Sequence, residues 1–441
     1  MKFTRVFAFM ALAGLAGSAC ATNGYFSHGY GMKAKGMGGA ATATHDDAFF
    51  GANNPAAAAF AGNRLDLGMD LFSPIREYTR VGGADPGSVE SDSNYFLVPE
   101  FGYNRMVNNN LALGVTVYGN GGMNTDYAPG QGDTGVCAGA APTGVTGPTL
   151  NMLCGQGSLG VDLMQLIVAP TAAYKVNANH SFGISPLLGY QRFKAEGLHA
   201  FMQISTSPAD LTNNGYDDSF GYGVRLGYMG KITPTVTIGA AYASKMNFEE
   251  LDKYKGLFAE QGDFDIPSNW NLGVAWQATP AVKLALDYQR INYSDVASVS
   301  NISNPPACTA VPPTGPAVTP ACLGGAAGIG FGWQDIDVWK LGAEYKYSNA
   351  LTLRAGYNHG DNPIGSADVM FNALAPGVIT DHVTLGFTYT LATGNELTMS
   401  YMHGFSNDVM GPDNIKFNTG STYNKIEMYQ NAIGVQYSWK M

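Results

Sequence analysis

The C-terminal stretch Ile433–Met441 reads IGVQYSWKM. In an extended chain successive side chains point to opposite faces, so Ile433, Val435, Tyr437, Trp439 and Met441 share one side and Gln436, Ser438 and Lys440 the other. An apolar face ending in aromatic rings, set against a polar face, suits a strand with lipid on one side and an aqueous lumen on the other. The alternation recurs upstream: Leu397, Met399 and Tyr401; Val383, Leu385, Phe387 and Tyr389; Trp270, Leu272, Val274 and Trp276. Segments of this kind can be placed at 63–81, 94–107, 111–120, 159–176, 181–195, 217–232, 236–250, 266–279, 281–295, 333–348, 351–361, 378–392, 395–408 and 425–441, fourteen in all. An even count is what a single-chain antiparallel membrane barrel requires.

Composition points the same way. Charged residues make up 13% of the chain, aromatic residues 12%, and glycine occurs 57 times; ordinary soluble domains carry roughly 25% charged residues. Met1–Ala21 has Lys2 and Arg5, an apolar run Val6–Ala16, and small residues ending Ala19-Cys20-Ala21, the layout of a secretory signal cleaved after Ala21. Gly17 stands where lipoprotein processing at Cys20 would prefer leucine. Beyond the signal no apolar run approaches the ~20 residues of a spanning helix, so the reading is an exported all-β, fourteen-stranded antiparallel transmembrane barrel. A net charge of −10 argues against a nucleic-acid partner.

The connections test this reading. Asn108–Asn110, Asn177–His180, Thr233–Thr235, Thr279-Pro280, Asn349-Ala350 and Thr393-Gly394 are short and polar, and they alternate with longer connections at 82–93, 121–158, 196–216, 251–265, 296–332, 362–377 and 409–424. Membrane barrels have short periplasmic turns and long outer loops, which puts both chain ends on the periplasmic side. Of the four cysteines left after signal removal, Cys137 and Cys154 share one long loop and Cys308 and Cys322 another. Local pairs are the simplest of the three connectivities, each closing a loop worth roughly 3 kcal/mol in the chain-entropy model. No C-x₂-C unit suggests a metal site, and no cofactor is expected.

Residues 22–62 are not patterned as a strand. His28–Ala41, HGYGMKAKGMGGAA, fails the phosphate-loop pattern because Met37 stands where its lysine belongs, and fails the dinucleotide fingerprint because Ala34 replaces the third glycine. Asp46-Asp47-Ala48 follows, and Asn54-Pro55-Ala56 lies just before the first strand. With this glycine-rich start, these motifs and the fourteen-strand layout, the chain resembles the FadL/TodX group of bacterial outer-membrane transporters for long-chain fatty acids and other hydrophobic compounds.

The resemblance implies three parts: a signal at 1–21, a hatch at 22–62 folded inside the lumen, and a barrel at 63–441. Gly36, Gly38, Gly39, Asp46, Asp47, Asn54, Pro55 and Ala56 are then the gate residues, and Lys33 and Lys35 can meet inward acids such as Asp66, Asp70 or Glu100. It also implies capture of an apolar cargo by outer loops, binding in the lumen, and sideways release into the membrane when the hatch rearranges. Leu198, Phe201, Met202 and Ile204 in the third long loop, with Leu251, Leu257 and Phe258 in the fourth, are the capture candidates. The family precedent for the exit is a kink in the third strand, here Gly119, Gly121 and Gly122 at its expected end. Arg225 and Lys245, inward by alternation, are the candidates to read a carboxylate headgroup. The expected partners are hydrophobic small molecules and outer-membrane lipid, with a monomeric barrel. A general diffusion porin is the alternative, although it would have no need of a hatch. An outer-membrane lipase-type enzyme is a further one, but no nucleophile motif supports it. Met441 departs from the aromatic residue that usually ends such barrels.

Overall fold

The computed structural model describes residues 23–82, 86–130, 137, 149–308, 319–413 and 423–441; the expected signal lies outside them. Fourteen strands form the wall: β1 (Arg64–Val81), β2 (Phe96–Met106), β3 (Leu111–Tyr127), β4 (Leu159–Lys175), β5 (His180–Glu196), β6 (Asp217–Lys231), β7 (Val236–Ala243), β8 (Asn269–Gln277), β9 (Val282–Ile291), β10 (Ile336–Lys346), β11 (Leu351–Gly360), β12 (Asp381–Thr390), β13 (Glu396–Pro412) and β14 (Tyr423–Lys440). Each pairs antiparallel with its sequence neighbours, and β1 closes the cylinder against β14 from Arg64↔Lys440 to Val81↔Tyr423. Two short strands, Gly87–Glu90 on β1 and Asn247–Phe248 on β6, lie outside this ring.

The C-terminal alternation has its expected sides. Ile433, Val435 and Trp439 are exposed on the outer surface, while Gln430, Gln436 and Ser438 are fully buried in the interior. Five of the short turns share one device. The side-chain oxygens of Asn108, Asn177, Thr233, Thr279 and Ser348 each accept the backbone N–H groups two and three residues on, closing the turn without outside help.

Two boundaries differ in ways that matter. β3 does not end at Asn120; it continues to Tyr127 through a register shift against β4 between Gly119 and Gly121. The glycines mark a bulge, which a glycine inside a strand often does. β7, expected to reach residue 250, stops at Ala243. There the Ser244 hydroxyl accepts the Val224 N–H at 3.1 Å, so a side chain replaces the ladder and the chain turns away.

The described parts of the loops after β5, β7 and β9 fold inward over the lumen. Leu323 N–H donates to Ile204 O (3.0 Å), Thr206 N–H to Leu323 O (2.9 Å), Gly256 N–H to Asp210 O (2.9 Å) and Glu260 N–H to Gly325 O (2.9 Å), tying three loops into one cap. The disulfides Cys137–Cys154 and Cys308–Cys322 each stay within one loop, as expected.

Candidate functional site

Residues 23–62 form a plug whose surface is matched by inward-facing glycines of the wall. A Cβ on Gly102 of β2 would lie 2.6 Å from the Ala48 carbonyl oxygen, and one on Gly342 of β10 2.7 Å from the Met37 Cβ. A side chain on Gly183 would run into Pro55, on Gly227 into Asn54, on Gly239 into Thr42 and on Gly356 into Gly38. The plug's own glycines answer from the other side. Gly38 has φ +66°, and a Cβ there would meet the Tyr357 carbonyl oxygen at 2.6 Å. The opening of the plug is thus glycine-rich because its backbone lies directly on the backbone of the wall.

Polar contacts supplement the fit. Wall side chains accept plug amides: Glu100 from Gly31 (3.0 Å), Gln436 from Met32 (2.9 Å), Thr384 from Gly38 (2.8 Å), Asp287 from Ala41 and Thr42 (2.8 Å each) and Asp66 from Ala48 (2.7 Å). Lys35 in α1 (Met32–Lys35) bridges Asp70 at 2.9 Å and Glu100 at 2.7 Å. Lys33 pairs with Glu396 at 2.7 Å and not with Asp66, because the guanidinium of Arg64 already holds that carboxylate. Asp46 pairs with Lys283 at 2.5 Å, and Asp47 caps the Phe49 N–H at 3.0 Å. Burial, reinforced by the nearby Asp66, pushes the Asp47 carboxyl up to about 6. Asn54 caps the 3₁₀ turn Pro55–Ala59 through the Ala56 N–H, and its amide donates to Thr42 O (2.8 Å) and Tyr228 O (2.9 Å). Asn54-Pro55-Ala56 therefore fastens the plug to itself and to β6.

The wall has a seam between β2 and β3. Their ladder runs only from Met106↔Ala112 to Phe101↔Val117, although β2 continues on β1 as far as Phe96 and β3 on β4 as far as Tyr127. At Asn120 and Gly121 of this edge the plug substitutes for β2, while at its far end Asp92 N–H donates to Asp126 O at 2.8 Å. Phe26 bridges Gly121, Ser27 N–H donates to Asn120 O at 3.3 Å, and the Tyr30 hydroxyl donates to the same oxygen at 3.0 Å. A Cβ on Gly121 would collide with the Tyr25 carbonyl. Above the seam Tyr25 packs against Tyr293 (ring centroids 5.5 Å) and Trp333 (5.9 Å), beside a small cavity of about 20 Å³ lined also by Phe72, Arg76, Gly122, Met123 and Met428. Gly119, Gly121 and Gly122 thus lie at the seam, while the predicted kink is a bulge.

The other expected residues fall elsewhere. Leu198, Phe201, Ile204, Leu251, Leu257 and Phe258 are buried inside the loop cap, with Met202 packed against them. A cargo meets them only when the loops part. Lys245, beyond the end of β7, pairs with Asp265 at 2.7 Å. Arg225 is buried at plug level, with Nη1 3.4 Å from Gly51 O and Nε without a partner. Arg76 was not singled out by sequence reasoning; its only signal is an inward position on the first strand, in step with Phe72, Pro74 and Tyr78.

A family model described as outer membrane protein transport protein (OMPP1/FadL/TodX) matches residues 12–440. The chain belongs to this family. As an OMPP1/FadL/TodX protein it lies in the outer membrane, in a family that transports hydrophobic compounds. The fold agrees with solved structures. The Pseudomonas putida toluene transporter TodX superposes with TM-score 0.64 at 20% identity, covering 94% of this chain and 99% of that one. A Pseudomonas aeruginosa FadL homologue gives 0.70 at 15% identity, covering 95% and 99%. The Ralstonia pickettii toluene transporter TbuX gives 0.61 at 16% identity, covering 94% and 99%. No curated protein matches the chain in sequence.

Proposed function

We propose that this barrel takes up long-chain fatty acids or similar hydrophobic compounds by capture among the outer loops, binding beneath them, and lateral exit through the β2–β3 seam when the plug withdraws from β3. The observation that carries this reading is the substitution of Phe26 and Ser27 for β2 along the unmatched edge of β3. A wall closed there by a separate segment, not by its own neighbour, opens without breaking a barrel ladder. Sideways release suits such a cargo because each CH₂ kept from water is worth about 0.8 kcal/mol, which an aqueous pore would forfeit. Arg225 stands as a headgroup reader whose Nε is free, whereas Lys245 must first release Asp265. A plugged lumen disfavours the diffusion-porin reading.

The test is oleate uptake by cells carrying Pro55→Gly, together with sugar permeation in a liposome-swelling assay. The variant frees the turn that fastens the plug to β6, so uptake falls while sugar permeation rises. Wild-type uptake with unchanged permeation would make residues 23–62 a passive filling. Mass spectrometry of compounds extracted from the purified protein then identifies the cargo.

A further inference from the structure

Arg76 is 3% exposed, and among the described residues no carboxylate forms an ion pair with it, although the Glu90 carboxylate acts on it at longer range. Its Nη1 donates to Asn124 O at 2.5 Å, and its Nη2 to Ser93 O, to Ser91 Oγ at 3.3 Å and to Asn94 Oδ1 at 3.3 Å. All four acceptors are neutral. Among the described residues the Nε has no partner. Lys33, Lys35, Arg64 and Lys283 beside the plug each have a carboxylate within reach, Glu396, Asp70 with Glu100, Asp66 and Asp46, whereas Arg225 shares the unpartnered Nε of Arg76. A buried charge left without an opposite charge is costly, and proteins avoid it unless the charge has work to do.

Its position says what that work is. The Arg76–Asn124 bond ties β1 to β3 above the seam, across the place where β2 fails to pair. Arg76 also lines the small cavity beside the seam, whose remaining walls, Asn124 apart, are largely apolar, with Phe72, Met123, Met428, Trp333 and Tyr25 among them. At about 20 Å³ the cavity holds roughly one water molecule. Tyr25, which forms one wall, directly precedes the residue that bridges Gly121. Withdrawal of that strand from β3 therefore enlarges the cavity and opens the seam in one movement. The result is an apolar slot with a guanidinium at its upper end.

We propose that Arg76 is the specificity residue of the seam: it receives the carboxylate of an acidic cargo while the alkyl chain lies along the opening between β2 and β3. The proposal rests on lateral exit through the seam and names the substrate class as long-chain carboxylates in preference to neutral hydrocarbons. The guanidinium presents N–H donors in a fork suited to a carboxylate.

The experiment measures binding of oleate and of oleyl alcohol, its neutral counterpart, to the full-length protein in detergent micelles, for wild type, Arg76→Met and Arg76→Lys. Arg76→Met lowers oleate affinity by roughly ten- to a hundredfold, the worth of one charge-assisted hydrogen bond, and leaves oleyl alcohol affinity within about threefold. Arg76→Lys, which keeps the charge but not the fork, recovers part of the loss. Unchanged oleate affinity in Arg76→Met, or equal losses for both ligands, overturns the assignment. Wild-type protein that binds both ligands equally also overturns it while leaving the transport reading intact; binding of neither overturns both. Should Arg76→Met fail to run as a heat-modifiable barrel, the wild type decides through the carboxyl signal of [1-¹³C]oleate. Bound oleate stays ionised to a pH below that of oleate in empty micelles if the guanidinium holds it, and titrates like micellar oleate if it does not.

Discussion

The plug meets the wall in two contrasting ways. Toward β10, β11 and β12 it lies backbone on backbone: Met37 against Gly342, Gly38 against Gly356, and Gly36 Cα 3.2 Å from the Cβ position of Gly386. Along the seam end of β3, at Asn120 and Gly121, it is held by one bridge and two hydrogen bonds to a single carbonyl, backed by aromatic side chains, whereas farther down the strand Thr116 donates to Ala48 O and accepts from Gly51 N–H. The first contact leaves no room for a methyl group, whereas the second adjusts by rotating rings. In the uptake route proposed above, a segment fixed at one end and lightly held at the other would move as a hinged flap, with Tyr25–Tyr30 the part that swings.

The sharpest way to break the contrast is to disturb the fixed end. Gly38→Val puts a branched side chain at φ +66° against the Tyr357 carbonyl, and no rotamer relieves it. The barrel still inserts, because its strands are untouched, but oleate uptake falls more than tenfold and sugar permeation rises in liposomes. An intact uptake rate would mean that the glycine seat has slack.

Lys35→Met comes next. It leaves Asp70 and Glu100 together in the interior without their cation, and stranding buried charge costs about 3–5 kcal/mol. Hydrogen exchange at residues 31–58 accelerates while the wall strands stay protected. Equal protection in both regions would deny that Lys35 anchors the plug.

The lightly held end responds less. Ser27→Pro removes the N–H that bonds Asn120 O, a loss of about 1 kcal/mol. Exchange rises at residues 23–30 and not at 31–58, and uptake is unchanged or faster. Slower uptake would show that the seam contact does more than close the wall.

The smallest effect is one of pH, in the loop cap. The Asp263 carboxyl is pushed up to about 7 by burial and by the adjacent Asp265, against the pull of Lys245, with Glu260 adding to the rise. Its ionised form is thus disfavoured in the folded loop. Protonation supports the cap below pH 7, and that support is lost as the pH rises from the ordinary carboxylate range through 7. Exchange in residues 251–265 is slower at pH 5 than at pH 8, and Asp263→Asn flattens the difference. A pH-independent rate in the wild type would refute this.

How much of this was legible in the sequence follows from where each kind of information resides. Lipid imposes alternation on every strand, so Ile433, Val435 and Trp439 declare their side without knowledge of their neighbours. The turns are equally local, because Asn108 and Asn177 close them with their own side chains. The plug's seat is not local. It is encoded in the wall as single inward glycines on many strands, and Gly183 or Gly356 alone reads only as a weak strand position. The capture candidates were legible as apolar, but the sequence does not say that Phe201 or Phe258 faces a neighbouring loop and not the medium. Arg76 was hidden for the same reason: its significance is that its described partners are all neutral, which only the assembled wall reveals.

Closure of the wall also sets an order of events. β1 finds its partner in β14 at the far end of the chain, so the cylinder cannot seal until the last strand has arrived. The plug precedes β1 and touches strands all around the ring. A finished cylinder already capped by its loops leaves no way to fit it with a backbone-tight lining from outside. The wall must instead be wrapped around the plug strand by strand, with the N-terminal segment serving as the mandrel on which its own barrel is rolled.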